Sequence, residues 1–102
     1  MQYKEAQWKT LHAKFFQRAT AVLVRYGQPD LVDQLNYIEN PSDARDLFIL
    51  MVLPEIEARG LDNAVQLFLE QNSAVLKAHR RLYDEFSDEA KGFLSAAYKV
   101  FA

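Results

Sequence analysis

"DLFILMVLPEIEARG", residues 46–60, sets seven apolar side chains in a row, Leu47 to Leu53, then a proline and the alternation Glu55, Ile56, Glu57. A membrane span, a buried strand and a core helix all contain such runs. A span needs about 18 or more consecutive apolar residues, which excludes the first. A buried strand needs a partner, and no second strand candidate exists in the chain. Immediately upstream, "NPSD" (40–43) is a helix-start signal: Asn40 or Ser42 can cap, and Asp43 and Asp46 fall in the positive field of a helix N-terminus. The run therefore reads as a helix, apolar all round and enclosed on most sides. Phe48, Leu50, Met51 and Leu53 are expected to be mostly buried, so that Leu50→Asp would prevent folding. Pro54 disfavours helical geometry at Leu53 and removes a donor, yet suits a first turn. A kink or restart is predicted there, with an end at Gly60.

Upstream of this stretch, Trp8, Leu11, Phe15, Ala19, Val22 and Tyr26 recur at spacings of three and four, with Phe16 and Leu23 widening the stripe. They predict one amphipathic helix over about 3–26, closed by Gly27 and Pro29. A short helix follows over about 30–39, with Leu31, Leu35 and Ile38 on one side. Downstream, Leu61, Phe68, Val75 and Leu82 are seven apart, and Val65, Asn72, His79 and Phe86 form the complementary series. The period favours one helix over about 61–86 in which Asn72 and His79 face another helix or a second copy of the chain; the alternative is a break at "QNS" with Ser73 capping a second helix. Ser87, Asp88 and Glu89 read as the start of a last helix carrying Ala90, Leu94, Ala97, Tyr98 and Phe101.

These elements predict an all-α fold, a compact helical bundle of about five helices with a long first helix (about 3–26) and a long penultimate helix (about 61–86), in a single domain over 1–102. Half of the 102 residues are hydrophobic and 13% aromatic, enough for a core and against disorder. Cysteine is absent, which removes disulfides and thiolate metal sites. "MQYKEAQWKTLHAK" lacks the uninterrupted apolar region of a signal peptide, so the cytoplasm is the expected compartment.

Charge is segregated along the chain. Residues 1–26 carry five basic side chains against Glu5, a net +4; residues 27–72 carry Arg45 and Arg59 against nine acids, a net −7. Opposed patches orient partners, although helix-start acids and a basic helix lying on acidic neighbours explain the same residues without a partner. The acidic region nominates Asp33, Glu39, Glu55 and Glu57 as partner-binding residues. Its expected function is that of a non-enzymatic protein-binding module of the inhibitor, immunity, chaperone or assembly-subunit kind, with a basic or nucleic-acid-binding protein as partner.

The alternative is a nucleic-acid-associated accessory protein, using Lys14, Arg18 and Arg25 of the first helix together with Arg80 and Arg81 of the Lys77–Arg81 cluster. A sequence pI near 5.6 weakens that alternative, because phosphate affinity needs a concentrated positive field. Residues 44–70 mimic helix-turn-helix spacing, but the second helix is acidic.

Catalysis has less to stand on. No HExxH, glycine-rich phosphate loop or nucleophile elbow occurs, and neither a cofactor nor a metal is expected. His12 at the edge of the first stripe and His79 within the heptad-like one read as packing residues. Asp84 and Glu85 do not share a helix face with His79. A bundle site assembled from His79, Asn72 and a distant carboxylate is the reserve reading.

Overall fold

The computed structural model describes residues 2–101, and every element among them is helical. In chain order these are α1 (Gln2–Arg25), α2 (Leu31–Gln34), α3 (Asn36–Glu39), α4 (Pro41–Leu47), a π-helical turn (Phe48–Val52), α5 (Leu53–Arg59), α6 (Leu61–Asn72), a 3₁₀ segment (Ala74–Ala78) and α7 (Arg80–Phe101). The fold is an all-α bundle, as the periodicity predicts. Its radius of gyration of 12.9 Å matches the roughly 13 Å expected of a compact globule of about 100 residues.

Helices α1 and α7 lie along one another and supply the aromatic centre. Phe15 stacks on Phe93 at 4.4 Å between centroids and meets Phe68 and Phe86 edge-on, both at 5.9 Å. Trp8 is sunk among Phe48, Phe93 and Phe101. Its indole N–H donates to the Pro41 carbonyl at 2.9 Å, so its one polar group stays satisfied while the ring is buried. Helix α1 ends as its sequence predicts. Gly27 takes φ +72°, its N–H donates to the Val24 carbonyl at 3.0 Å, and Gln28 N–H reaches back to Leu23 at 2.8 Å, a Schellman closure.

The 30–39 helix is divided. Leu35 leaves helical geometry (φ −86°, ψ 88°) and separates two four-residue helices, which lets Leu31, Leu35, Tyr37 and Ile38 all reach the core. Asn40 then caps α4, its side chain accepting from Ser42 N–H at 3.1 Å.

The run Leu47–Leu53 is helical but not enclosed. Phe48 and Val52 are buried, whereas Ile49, Leu50 and Met51 are exposed, Leu50 by 74%. Burial of Leu50 and Met51 is thus corrected. One helix lying on one layer of neighbours can bury only one face, and four-residue spacing places Phe48 and Val52 on it. At Pro54 the α-helix restarts as predicted, with the proline in the first turn of α5. The turn before it widens, with Leu53 N–H donating to the carbonyl of Phe48, five residues back. In an α-turn the proline ring would crowd the Leu50 carbonyl, and the wider turn relieves that contact. The helix stops at Gly60 (φ +93°), as predicted.

The predicted long penultimate helix is corrected as well. Helix α6 ends at Asn72, Ser73 is extended (φ −163°, ψ 116°), and the 3₁₀ segment leads to α7. The long helices are therefore the first and the last. Asn and Ser compete with the helix ladder through their own side chains, and Asn72 does so here. The break buries Leu76 completely and leaves Val75 and His79 outside, sparing the imidazole the desolvation that a continuous helix would impose. Ser73 makes no cap, and its buried hydroxyl has no partner among the described residues. Ser87 starts nothing: α7 runs through it because Leu82, Phe86, Ala90, Phe93, Leu94 and Ala97 form one unbroken buried stripe.

Candidate partner-binding site

A four-residue helix has no backbone group with a guaranteed partner, and α3 solves this by borrowing side chains from its neighbours. Tyr37 N–H donates to Oδ1 of Asn72 on α6 at 3.1 Å, and Asn72 Nδ2 in turn donates to the Phe68 carbonyl at 2.8 Å. On the other side, Nε2 of His12 on α1 donates to the Tyr37 carbonyl at 3.2 Å, which leaves the lone pair on Nδ1 of the neutral ring. Burial pushes the His12 pKa below its ordinary 6.5, only partly offset by this bond. Burial also raises that of the Tyr37 phenol, whose hydroxyl donates to Gln71.

This clasp holds α3 between α1 and α6, and a groove of about 510 Å³ lies between α1, α2 and α3. Its apolar surface comes from Phe16, Val32, Ile38 and Pro41, and Asp33 and Glu39 add two carboxylates. Both acids are exposed, and neither has an ion-pair partner among the described residues. An apolar bed beside two uncompensated negative charges can accept an apolar side chain flanked by basic groups.

Of the four acids nominated from sequence, the fold brings together Asp33 and Glu39 and separates the others. Glu55 pairs with Arg59 at 3.5 Å and borders a different, polar depression with Asn63, Gln66 and Glu70. Glu57 is exposed and lines neither. The basic alternative is matched within the chain at Arg18 and Arg25 and, in the Lys77–Arg81 cluster, at Lys77. Arg18 lies 3.8 Å from Glu89, Arg25 pairs with Glu85, which also accepts from the Tyr26 hydroxyl, and Lys77 pairs with Glu70 at 3.1 Å. Lys14 shares a cleft with Arg18, Asp88 and Glu89. Arg80 and Arg81 are exposed at the start of α7.

The reserve site of His79, Asn72 and a carboxylate is not assembled: His79 is exposed beyond the 3₁₀ segment, and both ends of the Asn72 amide are already committed. Among the described residues no cluster of three or more His, Asp or Glu is placed to hold a metal ion, and no helix is long and apolar enough to cross a membrane. Sequence reasoning missed the apolar bed of the groove. Phe16 and Ile38 were legible as members of stripes, but nothing in the spacing showed that Phe16 would stay half-buried beside Val32 while Ile38 closes the floor beneath them. Compared with known proteins, the chain matches no family model, no curated protein and no solved structure.

Proposed function

We propose that the protein is a non-enzymatic protein-binding module that receives a partner segment in the groove between α1, α2 and α3. The observation carrying this reading is the apolar bed of Phe16, Val32, Ile38 and Pro41 beside the exposed, uncompensated Asp33 and Glu39. An apolar anchor supplies the binding energy of such a contact, and the carboxylates orient it and quicken the encounter. The partner's segment is therefore basic around an apolar residue. Protein binding is favoured over nucleic-acid binding because Arg18, Arg25 and Lys77 each have an acidic partner in the chain, which dilutes the field that phosphates would meet.

The test begins with affinity purification from the native cell and identification of the bound protein by mass. Association of that purified partner is then timed for wild type and for Asp33→Lys/Glu39→Lys across a salt series. The double variant should associate more slowly and with a flatter salt dependence. A folded double variant that associates at the wild-type rate in low salt would remove the groove from consideration.

A further inference from the structure

The π-helical turn carries a second surface, independent of the groove. Ile49, Leu50 and Met51 protrude side by side with 37%, 74% and 40% of their surface exposed, while Phe48 and Val52 anchor the same turn in the core. Single exposed apolar residues are ordinary, but three adjacent ones centred on an almost bare leucine form a ridge one turn long. The turn that presents them is the rare π form, whose occurrences inside α-helices concentrate at functional sites.

What would cover this ridge follows from its frame. About two turns before and after Leu50 stand Asp43 and Glu57, both exposed and without an ion-pair partner among the described residues. The nearby cations are spoken for: Arg45 is held between Glu5 and Asp46, and Arg59 lies against Glu55. An isologous contact between two copies would set acidic frame against acidic frame, whereas basic residues on a partner would complement both ends at once. A ridge one turn long matches a single crossing helix, and Met51 lets the contact adapt to that helix's side chains. We propose that Ile49, Leu50 and Met51 are a docking ridge for a basic amphipathic helix of another protein, with Leu50 as the apolar anchor and Asp43 and Glu57 as its charged flanks.

The probe is a labelled synthetic helical peptide of leucine and lysine, its leucines spaced i, i+3, i+4, with a control in which glutamate replaces lysine. Binding is read by fluorescence anisotropy on wild type, Leu50→Gln and Asp33→Lys/Glu39→Lys, each first checked for helix content and cooperative melting. Leu50→Gln changes no charge and alters an exposed position, so its fold persists. The lysine peptide should bind wild type and lose about ten- to a hundredfold in affinity on Leu50→Gln, the worth of burying one leucine. The groove variant should retain the peptide, and the glutamate control should bind far more weakly. Hydrogen exchange should place the new protection within residues 47–59. The proposal is overturned by absence of binding to wild type, by equal affinity for Leu50→Gln, or by loss in the groove variant alone, which would move the peptide to the groove. Self-association of wild type that Leu50→Gln abolishes in sedimentation equilibrium would overturn it too, since a second copy would then be the occupant.

Discussion

His12 and Asn72, projecting from α1 and α6, hold the two backbone polar groups of the same residue: the histidine donates to the carbonyl of Tyr37 and the asparagine accepts from its N–H. Each is almost fully buried, at 4% and 5% exposure. Together they supply the partners that a four-residue helix cannot supply for itself. The buried polar residues of the two stripes, His12 and Asn72, thus find their partners within one chain.

Asn72→Leu should therefore destabilise the protein. It strands a buried N–H at Tyr37, a loss of about 1–3 kcal/mol. At roughly 4–8 °C per kcal/mol for a domain of this size, thermal melting should show the drop plainly. His79→Leu, at an exposed position, should stay within about 0.5 kcal/mol of wild type. An unchanged or higher melting temperature for Asn72→Leu would mean that the residue does not support Tyr37.

Stability should also depend on the His12 proton. Its folded pKa lies below the unfolded value of 6.5, so between the two the unfolded chain binds more protons. This contribution is fully present above the unfolded value and is lost as pH falls through the window below it. Denaturant melts at about pH 7.5 and about pH 5.5 should differ for wild type, and the difference should shrink in His12→Gln, which keeps a donor for the Tyr37 carbonyl. A pH dependence identical in the two proteins would assign the effect to other groups.

Neighbouring residues of the apolar run should respond in opposite ways to one substitution. Val52→Asp puts an unpaired charge at a position with no exposure and should abolish cooperative folding. Leu50→Asp should leave a soluble, cooperatively melting protein, within about 0.5 kcal/mol of wild type. Helix content and melting curves of the pair decide whether the run is half surface or all core.

Two glycine-to-alanine changes should likewise part in sign. Gly27 holds φ +72° at the end of α1, where a Cβ costs about 1 kcal/mol through backbone strain although open space surrounds it. Gly92 sits exposed within α7 with nothing within 4 Å of an added Cβ, so Gly92→Ala should stabilise by about 0.5–1 kcal/mol. Melting temperatures of the two variants test both statements together.

The helical class, the end of α1 at Gly27, the Asn40 cap and the stop at Gly60 were all legible in the sequence, because each depends on a residue and its neighbours within a turn or two. Period and capping act over such distances, and so do the glycine and proline preferences. Leu35, the Ser73 break and the outward turn of Leu50 were not, for each is settled by residues far away in sequence. Asn72 leaves the heptad pattern to serve Tyr37, Leu76 fills the place that Val75 and His79 seemed to claim, and only one side of the Leu47–Leu53 run finds neighbours. The groove had the same fate: charge counting found Asp33 and Glu39, but the apolar bed beside them is formed by residues of α1, α2, α3 and Pro41 that come together only in the fold. The sequence determined which segments are helical and which side chains are fit for burial, since propensity and pattern are local. Tertiary structure alone decided which of those side chains were covered, because burial depends on how much neighbouring surface the rest of the chain brings to each face.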